Sequence, residues 1–156
     1  SLGTALFWRK SEGIRVNDKR PPDIDYTRLA HETEEAPFHK WLGLRVLRAD
    51  PEGVEVAVPW RDDFFAQVQR TYLHGGVLAT LVDLTADFAI AARIGRALPT
   101  IDLRVDYHRP VSGGEVRATG VVIKAGRTIA TAEARVYDAK GSLVASGRGA
   151  YLSTGN

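Results

Sequence analysis

The sequence contains no cysteine, no long uninterrupted apolar run and no block of like charge. Without cysteine neither a disulfide framework nor a thiolate metal site can form, and nothing points to an oxidising compartment; a reducing cytoplasm is the expectation. The most apolar stretch, Val77 to Ala92, is interrupted by Thr80, Asp83, Thr85 and Asp87, so it falls short of the ~20 apolar residues of a membrane span. The first residues, SLGTALFWRKSEG, lack the basic-then-apolar order of a secretory signal. A soluble protein that neither enters a membrane nor carries a signal is expected.

With 156 residues, 44% of them hydrophobic and 26% charged, the chain suits one globular domain with one core. Its net charge of +2 is unevenly spread. Residues 93–148 hold ten Lys and Arg against five Asp and Glu, leaving a net −3 on the rest. Such an asymmetry favours an anionic ligand. Nucleic acid is disfavoured, because the positive side chains alternate with apolar ones along predicted strands and form no basic arm.

Residues 1–26, with the turn-like RPPD at Arg20 to Asp23, show no sustained periodicity and read as a loosely docked extension, anchored if at all by Leu6, Phe7 and Trp8. The domain proper is placed at 27–156. Residues 27–42 predict a short helix broken at Pro37, and a strand follows near Leu44 to Ala49. After the turn DPEG, Val54, Val56 and Val58 alternate as in a half-buried strand. In IDLRVDY, Ile101, Leu103, Val105 and Tyr107 share one face while Asp102, Arg104 and Asp106 share the other. Three further strands are predicted over Glu115 to Lys124, Thr128 to Tyr137 and Leu143 to Leu152, joined by the glycine turns AGR and AKGS. One long apolar helix among five or six antiparallel strands is an α+β domain whose sheet must wrap the helix to bury it.

That helix, HGGVLATLVDLTADFAIAARIG, is apolar nearly all round, yet it carries Asp83 and Asp87 in its middle. Carboxylates are costly in such surroundings unless paired, and burial raises their pKa toward that of a useful base. Either the two acids look out through an open edge or at least one of them, Asp83 foremost, does chemistry. Their i, i+4 spacing sets them on one face, where they could share a proton. His74, Gly75 and Gly76 stand at the helix start, where free N–H groups and the positive end of the helix dipole suit a carbonyl or oxyanion; a tight strand-to-helix turn is the plainer reading of the two glycines. The four histidines, His31, His39, His74 and His108, lack ligand-like spacing, so no metal is expected and His74 reads as a turn residue or a support for the site.

Taken together, LHGGVLATLVD at Leu73 to Asp83, TIDLRVDYHRP at Thr100 to Pro110, KAGRT at Lys124 to Thr128 and the ending GSLVASGRGAYL closely resemble the thioesterase-superfamily hotdog proteins, including the phenylacetate-pathway type. The resemblance covers about Pro37 to the C-terminus. It implies a hotdog fold, a long central helix wrapped by a five- to six-stranded antiparallel sheet, and hydrolysis of an acyl-CoA thioester with no cofactor beyond the coenzyme A of the substrate. It further implies Asp83 as nucleophile or general base, the Gly75 N–H as the group polarising the thioester carbonyl, and Thr100 as support for the attacking water. Of the residues preceding the histidine, Gln67 takes the place of the family's usual Asn or Gln, with Gln69 in reserve. Substrate contacts are expected at Gly76, Asp87, Asp102 and Tyr107, and phosphate contacts around Lys124, Gly126, Arg127 and Thr128. Phe64, Phe65, Tyr72 and Phe88 are candidates for an acyl pocket, although aromatic residues equally suit the core.

Gly75 and Asp83 are eight residues apart, which at ~1.5 Å per residue separates them by roughly 12 Å along the helix. If both act on one carbonyl, they come from two chains with antiparallel helices across a two-fold axis. A homodimer with shared sites, and a dimer of dimers, are expected. Other readings are a non-catalytic acyl-CoA-binding hotdog protein and a hotdog enoyl-CoA hydratase; the hydratase usually needs a histidine with the acid on its helix, and none lies inside this one.

Overall fold

The computed structural model describes residues 23–154. Residues 1–22, which hold most of the expected extension, lie outside them. The chain opens with α1 (Tyr26–Glu35), N-capped by the Asp25 carboxylate, and α2 (Pro37–Leu42), which starts at the proline that breaks α1. Strands β1 (Arg45–Asp50) and β2 (Gly53–Val58) form a hairpin. A 3₁₀ turn at Asp62–Phe64 leads into a small separate hairpin of β3 (Phe65–Gln67) and β4 (Arg70–Leu73). The long helix α3 (Gly75–Ile94) follows, and then β5 (Thr100–Tyr107), β6 (Val116–Ala125), β7 (Ile129–Tyr137) and β8 (Leu143–Leu152).

Six of these strands make one antiparallel sheet in the order β1-β2-β6-β7-β8-β5. Because β5 comes straight after α3 yet pairs with β8, three strands later, it ends on the outer edge beside the helix. The inner face of the middle strands is lined by small side chains, Ala118 on β6 and Ala130, Ala132 and Ala134 on β7, all buried. They let α3 settle close to the sheet, where Leu78, Leu81, Val82, Phe88 and Ile90 complete the core. The approach is closest at Gly120 on β6, where a Cβ would stand 2.5 Å from the Thr85 carbonyl oxygen, and at Gly147 on β8, where it would stand 2.7 Å from a methyl of Val82.

The sheet covers most of α3 but not all of it. Gly76, Ala79, Thr80, Asp83 and Asp87 stay at least partly accessible, and their three- and four-residue spacing makes them one stripe along the helix. The two acids that jar with an all-apolar helix therefore lie on its uncovered face, beside β5.

The predicted strand positions hold to within about a residue or two, but the strict alternation expected for β5 does not. A bulge between Thr100 and Asp102 shifts the register against β8. Leu103 and Val105 pack against the core, whereas Ile101 is 54% exposed. The extra residue lets Thr100 point at α3 together with Leu103, Val105 and Tyr107, which an unbulged strand with period two would forbid.

A candidate active site split along one helix

At the middle of α3 the carboxylate of Asp83 sits on the uncovered stripe and is held by two hydroxyls. Thr100 Oγ1 donates to Asp83 Oδ1 at 3.0 Å, and the Tyr151 phenol lies 3.1 Å from the same oxygen and 3.0 Å from the Asp83 carbonyl. Thr100 and Tyr151 are direct cross-strand partners on β5 and β8. The Tyr151 ring is fully buried. It lies back over Gly149, where a Cβ would fall 2.2 Å from the phenol oxygen. Burial above all, then the charge and hydrogen bond of Asp83, push the Tyr151 phenol well above its usual pKa, so it remains a donor. No lysine, arginine or histidine among the described residues forms a salt bridge with Asp83.

One turn further on, Asp87 Oδ1 accepts the Leu98 N–H at 2.8 Å. Burial is the main cause that raises its pKa to about 6; the Asp83 charge adds to the rise, and the Leu98 N–H opposes it. The Pro99 carbonyl accepts the Leu152 N–H at 2.9 Å. Asp87 and Leu152 thus pin from two sides the short loop that delivers Thr100 to Asp83.

The helix start forms a second cluster. His74 is the N-cap, its Nδ1 accepting the Gly76 N–H at 2.8 Å and its carbonyl accepting the Val77 N–H at 2.9 Å. These bonds occupy two of the first-turn donors, and among the described residues the Gly75 N–H has no acceptor. The Tyr107 hydroxyl donates to the Gly75 carbonyl at 3.1 Å, and its ring lies where a Gly75 side chain would otherwise extend. His74 N–H donates to the Phe64 carbonyl and Leu73 N–H to the Val111 carbonyl, so the helix start is fastened to its neighbours.

The sequence-predicted residues therefore fall into two groups on one chain. Asp83, Thr100 and Asp87 belong to one end of the stripe; His74, Gly75, Gly76 and Tyr107 belong to the other, roughly 12 Å away along the helix.

Comparison with known proteins decides the family. The thioesterase superfamily model matches residues 71–145, the segment from β4 into β8 that carries His74, Gly75, Gly76, Asp83, Asp87, Thr100 and Tyr107 and ends before Tyr151. A solved protein from the thioesterase superfamily is 44% identical, covers 81% of this chain and 96% of its own, and superposes with a TM-score of 0.78. The chain belongs to the thioesterase superfamily. Thioesterase superfamily member 2 of zebrafish is similar at 27% identity and a TM-score of 0.72, over 83% of this chain and 96% of that one. The medium/long-chain acyl-CoA thioesterase YigI of Escherichia coli K12 is 28% identical over 132 residues, covering 74% of this chain and 84% of YigI.

Within this superfamily frame the remaining predicted residues are more scattered. Gln67 is exposed on the β3–β4 hairpin, which leads directly into the helix start, and among the described residues no hydrogen bond joins it to Asp83. Its alternative, Gln69, is exposed on the same hairpin. Asp102 is exposed on β5 next to the bulge. The KAGRT turn joins β6 to β7, with the Gly126 N–H on the Ile129 carbonyl and the Thr128 carbonyl accepting the Ser153 N–H. Lys124 and Arg127 are exposed there. Register sets this turn at the same end of the sheet as the Asp83 cluster, since Ala130 pairs with Tyr151 and Tyr151 with Thr100. Of the aromatic candidates, Phe64 and Phe88 are buried in the core, Phe64 edge-on to Trp41, and Phe65 packs against Trp60.

Tyr151 is the residue of this cluster that sequence reasoning misses, although it stands within the family-like ending. A glycine two residues before an aromatic on one strand face is the available signal, since such a pair lets the ring fold back over the glycine.

Proposed function

We propose that this protein is an acyl-CoA thioesterase, hydrolysing a small, medium-chain or aromatic acyl-CoA to the free acid and coenzyme A, with Asp83 as its catalytic carboxylate. One observation carries the reading: on the uncovered stripe of a buried helix stands a carboxylate with no cationic partner among the described residues, oriented by two hydroxyls. A structural acid would be expected to be neutralised or fully solvated. The name of YigI supports a medium or longer acyl chain.

In this mechanism the thioester carbonyl accepts the N–H of Gly75 of the partner subunit, whose free donor and helix dipole stabilise the oxyanion. Asp83 either takes a proton from water, which adds to the carbonyl carbon, or adds directly to give a mixed anhydride that water then opens. In both routes the C–S bond breaks, the thiolate leaves and is protonated, and the acyl group ends as a carboxylic acid. Thr100 supports the base and the water, His74 fixes the helix start, and Gln67, from the hairpin at that end, reaches toward the carbonyl. Gly76, Asp87, Asp102 and Tyr107 border the bound thioester. Lys124, Gly126, Arg127 and Thr128 meet the phosphates of coenzyme A. No cofactor beyond the substrate's coenzyme A is required.

Two copies related by a two-fold axis, with their stripes facing and antiparallel, bring each Asp83 toward the opposite Gly75. The outer edge of β5, unpaired among the described residues, with Ile101 and Tyr107 more than half exposed, supports a second copy as its cover. We extend the proposal to a homodimer with two shared sites that pairs into a dimer of dimers.

The test is steady-state release of free thiol from short, medium, long and aromatic acyl-CoAs by wild type and Asp83→Asn. Turnover by wild type that drops by about 10²- to 10⁴-fold in the variant, with binding kept, is the expected result. Absence of wild-type turnover on every thioester would overturn the proposal in favour of a binding protein or a hydratase.

A further inference from the structure

We propose that Tyr151 is a positioning residue which, together with Thr100, engages Oδ1 of Asp83 and so reserves Oδ2 as the reactive oxygen. The inference rests on the thioesterase reading above and assigns the two oxygens of its carboxylate different tasks.

A carboxylate oxygen has about two acceptor directions. Thr100 Oγ1 at 3.0 Å and the Tyr151 hydroxyl at 3.1 Å both address Oδ1, while among the described residues no donor addresses Oδ2. An oxygen that accepts the Thr100 hydroxyl and shares the single Tyr151 proton with the Asp83 carbonyl is the poorer base and the poorer nucleophile. Oδ2 keeps its lone pairs for water or the thioester carbon.

The two donors are not equivalent. Thr100 is exposed on the edge strand, and among the described residues its hydroxyl meets only the side chain of Asp83. Tyr151 is fully buried on β8, between β7 and β5, with its ring fitted over Gly149. Its hydroxyl is also 3.0 Å from the backbone carbonyl of Asp83, so one phenol sits against both the main chain and the side chain of the same residue. The carboxylate is thereby referenced to the sheet as well as to its own helix. A free Asp side chain turns broadly about its last torsion, and a misplacement of about 1 Å in a reacting group can cost on the order of 10²-fold in rate. Tyr151 touches neither substrate nor reacting oxygen in this assignment; it acts through Asp83.

The experiment measures kcat and KM for Tyr151→Phe and Thr100→Val, each in the wild-type and Asp83→Asn backgrounds, with thermal melts of every variant. The expected result is a fall of about tenfold in kcat for Tyr151→Phe, with KM within about twofold and the fold retained. In the Asp83→Asn background the same change should leave the residual rate unaltered, because the group it positions has lost its function. A merely structural tyrosine would lower both backgrounds by the same factor, and that result, or wild-type kcat in Tyr151→Phe, overturns the assignment. If Tyr151→Phe does not fold, Gly149→Ala, whose methyl would displace the Tyr151 hydroxyl, decides the matter by the same non-additivity criterion. Turnover that needs Asp83 but ignores Tyr151 sinks this inference alone, whereas an inactive wild type sinks the thioesterase reading and this inference with it.

Discussion

Thr100 and Tyr151 face each other across the β5–β8 ladder, and both aim a hydroxyl at the same oxygen of Asp83. Directly opposed residues in an antiparallel pair hold their Cβ atoms about 5 Å apart, close enough for a threonine and a folded-back tyrosine to converge on one atom of the helix above. The convergence depends on the bulge at Thr100 to Asp102, since only a register shift turns Thr100 inward alongside Leu103. The catalytic proposal thus depends on strand pairing as much as on the acid itself.

The division of the site between two ends of α3 is tested by mixing two inactive proteins. Gly75→Pro removes the N–H while keeping a residue suited to the first helical position, and Asp83→Asn removes the base. Each alone should be inactive. Co-refolded in equal amounts, half of the dimers are mixed and each of these regains one intact site, so about one quarter of wild-type activity should return. Activity that stays at the level of the single variants would exclude a shared site.

Gly149→Ala should damage the site without touching any polar group. The new methyl would lie 2.2 Å from the Tyr151 hydroxyl oxygen, so the ring must leave Asp83 or the strand must shift. We expect a loss of kcat of about tenfold or more together with a melting temperature lowered by several degrees. Unchanged kinetics in a folded protein would show that the ring has room the structure does not give it.

Asp87 sets a pH dependence of stability whose sign is opposite to that of a salt-bridged acid. Its folded pKa, raised to about 6 from an ordinary 3.8, means that the folded protein holds the proton more tightly than the unfolded one. Ionisation therefore carries a penalty that is absent below the ordinary value, grows between it and the folded value, and is complete above. Asp87→Asn keeps an acceptor for the Leu98 N–H and removes the penalty. Urea unfolding at about pH 7.5 should show a gain of up to about 3 kcal/mol that disappears near pH 4; a gain independent of pH would point to a cause other than ionisation.

The turn between β6 and β7 is tested by Lys124→Ala with Arg127→Ala. Removing both should raise KM for acyl-CoA by about tenfold, with kcat nearly unchanged. For a thioester that lacks the adenosine diphosphate, KM should not move. An equal rise for both substrates would mean that the two side chains act on something other than the phosphates.

How much of this was legible in the chain differs from element to element. The helix α3 was legible because its apolar residues run all round and its start is marked by His74, Gly75 and Gly76. β2 was legible from Val54, Val56 and Val58, and β8 from its glycine turn and length. Asp83 stood out as a carboxylate within an apolar helix, whereas Thr100 was available only through family resemblance, and the structure brings the pair to 3.0 Å. The β3–β4 hairpin escaped notice because its turn, at Val68 and Gln69, uses neither glycine nor asparagine. The bulge in β5 escaped because it is fixed by pairing with β8, about fifty residues later, rather than by anything in IDLRVDY. Tyr151 escaped for the same reason: its meaning lies in which residue it faces, and register between distant strands leaves little local trace.

Strand order also governs when the Asp83 cluster is completed. β5 is made before β6, β7 and β8, yet its neighbour in the sheet is β8, the last of the four to leave the ribosome. Until Tyr151 has emerged and β8 has slotted between β7 and β5, Asp83 has neither its phenol nor a fixed Thr100. A nascent chain holding α3 complete would carry the acid without the two hydroxyls that orient it. Contacts this distant in sequence also form slowly, which makes the closing of β8 against β5 a late step in assembling the Asp83 cluster.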